Sequence, residues 1–462
     1  MPSRQDQLHS YQYSLQRVVA ALVTHDPDPS RSPLRRAGTT ALVSLLIAAI
    51  AVGGAALYGL FTGQSSVSPR DPNVVFLEKG TGARYVYLES DRKLHPVINY
   101  TSGLLLAGAQ SPTLETISAE KLATVQLGAP LGIRDAPDSL PAAGQLLTER
   151  WSVCSDNQGA NDSPRSTLLV GDKLTDGMIA AKAGKALLIQ GPDGRTYLVS
   201  GNRRFTIPSS RSAATLRVLG WSDQQPWPAA AAWINAIPLG PDLVAPSIPQ
   251  PGGVTEANGY PVGQLVGHGG QFAVNMPDGL AGVTQMQAKL MQVSGVQAVE
   301  IGVAFYQLPG SKTRLSDAND PQGLPSRVPS LAPAPSTRVC MTVPVDGKAG
   351  DGIRIDPSAP TGEPVAGKSV APGAALADLV HVARGRGVIV VGAASASAPD
   401  GSGTVGLVTD SGRFYPLANR SLLEKLGYAG VNPFQVPASL VGMLPRGPAL
   451  DPVLARTTDP QG

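Results

Sequence analysis

Gly362-Glu363-Pro364-Val365-Ala366-Gly367-Lys368-Ser369 is a literal match to the G-x-x-x-x-G-K-[ST] phosphate loop. In such a loop Gly362 and Gly367 would let backbone N–H groups wrap a phosphate, Lys368 would meet the outer phosphates of ATP, and Ser369 would hold Mg. That chemistry needs a buried strand ahead of the loop and a helix behind it. The preceding Asp356-Pro357-Ser358-Ala359-Pro360 is no buried strand, and Ala371-Pro372-Gly373 stops a helix within a turn of Ser369. The residues themselves therefore read as a solvated Gly/Pro loop, with nucleotide binding as the alternative.

Other reactive constellations are weaker. The five histidines, His9, His25, His95, His268 and His381, have no metal-ligand spacing with each other or with the cysteines. Gly267-His268-Gly269-Gly270 resembles an esterase oxyanion loop, but no G-x-S-x-G elbow accompanies it, so a glycine-rich turn is the expectation. Hence no catalytic residue, metal ligand or cofactor is assigned. Trp151, Trp221, Trp227 and Trp233 read as core anchors. The only cysteines, Cys154 and Cys340, stand in strand-like segments, Arg150 to Cys154 and Thr337 to Val343. An intramolecular disulfide is the economical reading; two unpaired buried thiols are the alternative.

The elements that carry these residues hang from one stretch. Residues 37–69 contain no Asp, Glu, Lys or Arg, and Ala41 to Phe61 is interrupted by only one strong polar side chain, Ser44. A 21-residue helix covers roughly 32 Å, enough for a hydrocarbon core of about 30 Å. The run is too long for a signal-peptide core, and a polar leader precedes it, so an uncleaved anchor is expected. Arg4, Arg17, Arg31, Arg35 and Arg36 precede the span, whereas Arg70 is the first basic residue after it, which puts the N-terminus in the cytoplasm. In the leader, Leu8, Tyr11, Leu15, Val18 and Leu22 step by three and four, the spacing of a helix with one apolar stripe over about residues 4–24. Ser3 and Asp6 have capping-box spacing. The polar face is Gln/Ser-rich and not Lys-rich, so a partner protein covers this stripe more readily than a bilayer surface would.

Composition bounds the region after the span. The chain's 52 glycines and 42 prolines, about a fifth of its residues, stay below the roughly 25–30% that marks low-complexity disorder. Of the net charge of +3, five Arg against three Asp in the leader account for +2, leaving a nearly neutral exported region with no footprint for nucleic acid.

That region repeats itself. Leu219-Gly220-Trp221 matches Leu426-Gly427-Tyr428, and sixteen residues after each aromatic Ile237-Pro238-Leu239-Gly240-Pro241 matches Leu444-Pro445-Arg446-Gly447-Pro448. Upstream, Gly194-Arg195-Thr196-Tyr197-Leu198 aligns with Gly412-Arg413-Phe414-Tyr415-Pro416 if the first copy carries an eleven-residue insertion. Fainter copies run from Val75 to Leu131 and from Gly263 to Met291. The expected fold is a single-span membrane protein whose exported α+β region has four small hairpin-plus-helix repeats around a discontinuous β-rich central domain. The boundaries are 1–36 for the leader, 37–63 for the span, 73–135, 185–245, 260–294 and 391–452 for the repeats, 140–182 and 295–390 for the central domain, and 453–462 for the tail.

Tyr11 to Leu22, Pro33-Leu34-Arg35-Arg36 with the single span, Trp151-Ser152-Val153-Cys154 with Cys340, and the Leu-Gly-Tyr to Leu-Pro-x-Gly-Pro-x-Leu repeat together resemble the EccB family of type VII (ESX) secretion systems. The resemblance covers essentially the whole chain. It implies a structural inner-membrane subunit with an elongated periplasmic head, self-associating and assembled with EccC, EccD and EccE type subunits beside a mycosin protease. The family's repeats resemble phage-lysin wall-binding modules, which implies peptidoglycan as a further partner. Family members also carry an ATPase label, the alternative that would use ATP and Mg at Gly362, Gly367, Lys368 and Ser369.

Overall fold

The computed structural model describes residues 3–25, 33–62, 67–148, 150–157, 163–249, 251–253, 259–315, 323–343, 352–367, 375–393 and 403–457. Helix α1 (Arg4–Thr24) begins with a capping box, Asp6 N–H donating to Ser3 Oγ at 3.3 Å and Ser3 N–H to Asp6 Oδ2 at 3.0 Å. It ends where His25 takes a left-handed conformation. Helix α2 (Pro33–Thr62) opens on a proline, whose missing N–H costs nothing at a first helical position. Its segment Gly38–Ala56 has a mean hydropathy of 2.0 and is nowhere buried by the rest of the chain, so it is long and apolar enough to cross a membrane.

After the span, β1 (Val74–Glu78), β2 (Arg84–Leu88) and β3 (Lys93–Pro96) form an antiparallel meander. Helix α3 (Tyr100–Leu106) then leads to β4 (Thr113–Ile117), parallel to β1, and to α4 (Ala119–Leu122). Strands β5 (Trp151–Asp156), β6 (Arg165–Val170) and β7 (Met178–Ile179) follow. A second meander, β8 (Lys185–Gln190), β9 (Thr196–Ser200) and β10 (Arg203–Ile207), passes through α5 (Ser212–Val218) to β11 (Trp227–Pro228) and α6 (Ala231–Ala236). A third, β12 (Leu265–His268), β13 (Gln271–Met276) and β14 (Gly279–Val283), passes through α7 (Gln285–Val293) to β15 (Ala298–Glu300). Next come β16 (Ser330–Leu331), β17 (Arg338–Val343), β18 (Gly352–Ile355), β19 (Glu363–Pro364) and β20 (Leu379–Val382). The last meander, β21 (Gly387–Ala393), β22 (Thr404–Thr409) and β23 (Phe414–Pro416), continues through α8 (Leu422–Lys425) to β24 (Phe434–Pro437) and α9 (Ala438–Val441), before α10 (Pro452–Ala455).

Four sheets share one strand order: β3-β2-β1-β4, β10-β9-β8-β11, β14-β13-β12-β15 and β23-β22-β21-β24. In each, the fourth strand returns parallel to the first. Each also closes with the same two backbone bonds across its third strand. Leu94, Arg204, Leu280 and Phe414 accept from Gly128, Gly240, Ser311 and Gly447 at 2.8–2.9 Å, and donate to Gln126, Pro238, Pro309 and Pro445 at 2.8–3.0 Å. The fifth sheet, β19-β20-β6-β5-β17-β18-β7, takes strands from both sides of the second and third meanders.

Shared cores join these sheets in a row. Tyr415, Leu422 and Tyr428 of the fourth pack with Val75, Val86 and Leu105 of the first. The opposite face of the fourth, through Val390 and Phe414, joins one core with Trp151, Val153 and Met341 of the central sheet and with Leu187 and Ile189 of the second. The other face of the second, through Leu188 and Phe205, meets Met286 and Leu290 of α7. Strands buried on both faces need unbroken apolar runs, which Ala186-Leu187-Leu188-Ile189 and Val388-Ile389-Val390-Val391 supply.

The structure departs from the sequence expectations in three places. Segment 298–306, expected in the central domain, belongs to the third sheet: β15 pairs with β12, and Gly310 bridges Leu280. Strand β21 begins the fourth sheet at Gly387, ahead of the expected 391, because Gly387 already pairs with Thr409. The hairpin alignment shifts as well. The closing bonds make Arg204-Phe205, not Tyr197, the counterpart of Phe414-Tyr415. Phe205 stands 14 residues before Leu219 and Tyr415 stands 11 before Leu426, so the copies differ by three residues, not eleven. Two successive hairpins with glycine turns made the wrong one align.

Candidate functional site

The leader helix presents its stripe to solvent: Leu8, Tyr11, Leu15, Val18 and Leu22 are each more than half exposed. An apolar stripe of this kind costs free energy in water, about 1.5–3 kcal/mol per large side chain relative to burial. The unburied segment Gly38–Ala56 poses the same demand to a membrane.

The phosphate-loop match lies at the edge of the central sheet. Glu363 and Pro364 pair antiparallel with Val380 and Leu379, and a Cβ on Gly362 would stand 2.9 Å from that of Leu379. Gly362 is thus pressed against the sheet. Lys368 and Ser369 lie outside the described residues. The described part of the match, 362–367, is a sheet edge with no buried strand running directly into it.

Cys154 and Cys340 are bonded, with Cα atoms 3.9 Å apart across a gap of 186 residues, where β5 and β17 oppose each other in register. Asp156 lies two residues beyond Cys154 and Arg338 two before Cys340, which puts all four on one face of the sheet. Arg338 Nε donates to Asp156 Oδ1 at 2.5 Å, and Thr167 Oγ1 to Asp156 Oδ2 at 3.0 Å. The alternation around the cysteines carried this signal, but the partners become visible only once the strands are paired. On the opposite face, Ala230 N–H donates to the buried Ser155 Oγ at 2.9 Å, tying the segment entering α6 to β5.

Asp356 anchors the start of β17. Its left-handed backbone turns the chain so that the carboxylate accepts from the N–H groups of Ser336, Thr337 and Arg338 at 2.9, 2.9 and 3.2 Å. Partial burial pushes this carboxyl up, but the converging donors outweigh it and hold the group below its ordinary range. A folded-state value below the unfolded one stabilises the fold above the unfolded carboxylate's value, about 3.9, and that contribution is lost as pH falls through the folded value. Asp356→Asn is expected to cost about 1–3 kcal/mol at neutral pH and to flatten the acid limb of the stability curve. Urea titrations of both proteins between pH 7 and 3 check this, and parallel curves would refute it.

Among the described residues, no three of His, Cys, Asp or Glu converge to hold a metal. His268 and Gly269-Gly270 form a tight turn between β12 and β13, both glycines having positive φ, with His268 Nδ1 2.7 Å from Glu300 Oε1. The four tryptophans are buried.

Comparison with known proteins places this arrangement. The family model for the type VII secretion system ESX-1 transport TM domain B matches residues 1–460. The ESX-3 secretion system ATPase EccB3 of Mycobacterium tuberculosis is 26% identical over 494 residues, covering 98% of this chain and 89% of that protein. The ESX-1 secretion system ATPase EccB1 of the same organism is 25% identical over 331 residues, covering 69% and 67%. A chain of an intact ESX-5 inner membrane complex superposes with a TM-score of 0.65 at 20% identity, over 100% of this chain and 96% of that one. The EccB3 dimer from the ESX-3 core complex gives 0.61 at 24%, over 83% and 100%. At these identities the structural likeness is one of fold. Since the family model spans nearly the whole chain, from the leader helix to the last sheet, the chain belongs to the EccB family of type VII secretion proteins.

Proposed function

We propose that this chain is a structural, non-catalytic subunit of a type VII secretion inner-membrane complex, in which helix α1 docks on a cytoplasmic partner and the five sheets form a periplasmic head. The single observation that carries this reading is the exposed stripe of α1, next in sequence to a span that nothing in the chain covers. Arginine bias around the span supports an N-terminus in the cytoplasm. The four sheets of common order read as copies of one unit, with residues 140–182 and about 337–385 as the discontinuous centre they flank. EccC, EccD and EccE type subunits and a mycosin protease are the partners this role calls for, with a second copy of the chain, as in the EccB3 dimer. Peptidoglycan is a ligand for the head under the same reading.

The test substitutes Leu15→Ser and Val18→Ser in the full chain, expressed with its membrane partners. At about 2 kcal/mol for each apolar side chain no longer buried, affinity for the partner should fall on the order of 10³-fold, while thermal unfolding of the head stays unchanged. An intact complex carrying both substitutions would sink the docking role.

A further inference from the structure

Arg165, Asp156 and Arg338 stand in register on β6, β5 and β17, one row across the disulfide face of the central sheet. Directly opposed residues of antiparallel neighbours share a face with side chains in reach of each other. Asp156 could pair with either arginine, and it pairs with Arg338 while its second oxygen takes the Thr167 hydroxyl. Arg338 Nη1 donates to the Ala359 carbonyl at 3.2 Å, so this guanidinium is held by two partners. Arg165 is half-buried, and its side chain makes no hydrogen bond or ion pair among the described residues. These three residues line an open cavity of about 410 Å³, walled further by Ser358, Thr361 and Leu379. Ser358 and Thr361 are both exposed.

We propose that this cavity is a binding site for a carboxylate presented by a peptide, held by the guanidinium of Arg165 with the Ser358 and Thr361 hydroxyls beside it. A half-buried guanidinium with five donors and no acceptor suits an anion, and its planar fork matches a planar carboxylate through two parallel hydrogen bonds. The charge balance selects the anion. Arg165 and Arg338 against Asp156 leave one positive charge in the row, which a monoanionic carboxylate neutralises and a phosphate dianion would exceed. The nearby Asp356, its oxygens turned to the backbone N–H groups of residues 336–338, keeps its negative charge and lowers the positive potential further, which disfavours a dianion more than a monoanion. A volume within the range of small-ligand clefts admits an amino-acid-sized group and not merely an ion.

The experiment uses the full chain in detergent and the arginine reagent phenylglyoxal, with modification at Arg165 and Arg338 followed by peptide mass spectrometry. Arg165 should label faster than Arg338. N-acetylalanine probes a chain-end carboxylate and N-acetylglutamic acid α-amide a side-chain one. At four times its dissociation constant, the preferred probe should slow labelling of Arg165 about fivefold by mass action, and which probe does so names the source. N-acetylalanine amide, chloride and inorganic phosphate at equal ionic strength should give no such protection. Arg165→Lys, which keeps the charge and loses the fork, should abolish the stabilisation of the thermal midpoint by the probe while leaving the probe-free midpoint in place. Equal protection by chloride or phosphate, or a probe effect that survives Arg165→Lys, would overturn the proposal.

Discussion

Replacing Cys154 and Cys340 together by alanine is expected to lower the stability of the central sheet by about 2–5 kcal/mol, with the loss felt beyond it. The bond closes a loop of 186 residues that holds β6 to β16, and hence the whole second and third sheets. In the chain-entropy view, opening so long a loop in the unfolded state costs the folded state on the order of 5 kcal/mol, less any strain. The second sheet shares the core of Trp151, Val153 and Met341, so it should soften with the centre. The first sheet, which shares its core with the fourth, should keep its midpoint. Urea unfolding read by a probe in each region checks this, and an unchanged midpoint in the centre would refute it. Thiol labelling of the unfolded, unreduced wild type supplies the control: two reactive thiols per chain would remove the bridge itself.

How much of this was legible beforehand depends on the range of the interaction. The α1 stripe and its capping box involve residues three and four apart, so Ser3, Asp6 and Leu8 to Leu22 fixed that helix from local spacing alone. The apolar run of α2 is local too. The strands bearing the cysteines were legible from their alternation, but the partners of Asp156 were not, since Arg338 lies 182 residues away. The fourth strands carry no local signal for the same reason. β11 is only Trp227–Pro228, and nothing local distinguishes it from a loop until it lies along Ile189. Its slot on β8 is completed by Ser330 and Leu331 of β16, which arrive after the whole third sheet. Such short pairings are held by tertiary context and carry almost no intrinsic propensity.

The candidate site divides the same way. A phosphate-loop pattern in the residue string is a statement about eight neighbours, whereas binding phosphate depends on what precedes and follows them. Here Asp356, six residues upstream of Gly362, turns the chain to cap β17, and Glu363 joins a sheet edge. In sequence, Arg165 is a lone arginine in a Ser/Thr-containing strand, which is ordinary. Its interest comes from the row it completes with Asp156 and Arg338, which only strand register reveals.

The closing segments make the second large prediction. A Cβ on Gly128 would stand 2.3 Å from His95 Cε1, one on Gly240 2.4 Å from Phe205 Cε1, and one on Gly447 2.4 Å from Tyr415 Cδ1. Each ring sits on the third strand of its sheet, one residue past the residue that makes the two closing bonds. Those bonds hold strand and segment at fixed separation, and Phe205 and Tyr415 are themselves buried, so neither side yields without loss. Gly240→Ala is therefore expected to destabilise the second sheet by about 1–3 kcal/mol through overpacking. Gly194→Ala, at positive φ but with nothing within 4 Å, serves as the comparison and should cost only its backbone strain, about 1 kcal/mol. The third sheet shows how the clash is relieved: at the corresponding positions it has Ala281 in place of the ring and Ser311 in place of the glycine, with the same closing bonds. It follows that Phe205→Ala should cost about 3–5 kcal/mol alone for the cavity it leaves. Adding Gly240→Ala to it should cost less than in the wild type, a favourable coupling of about 1 kcal/mol or more in a double-mutant cycle of urea midpoints. Strict additivity would mean that ring and glycine do not constrain each other, and would remove the steric reason for a glycine in the closing segments of three of the four sheets.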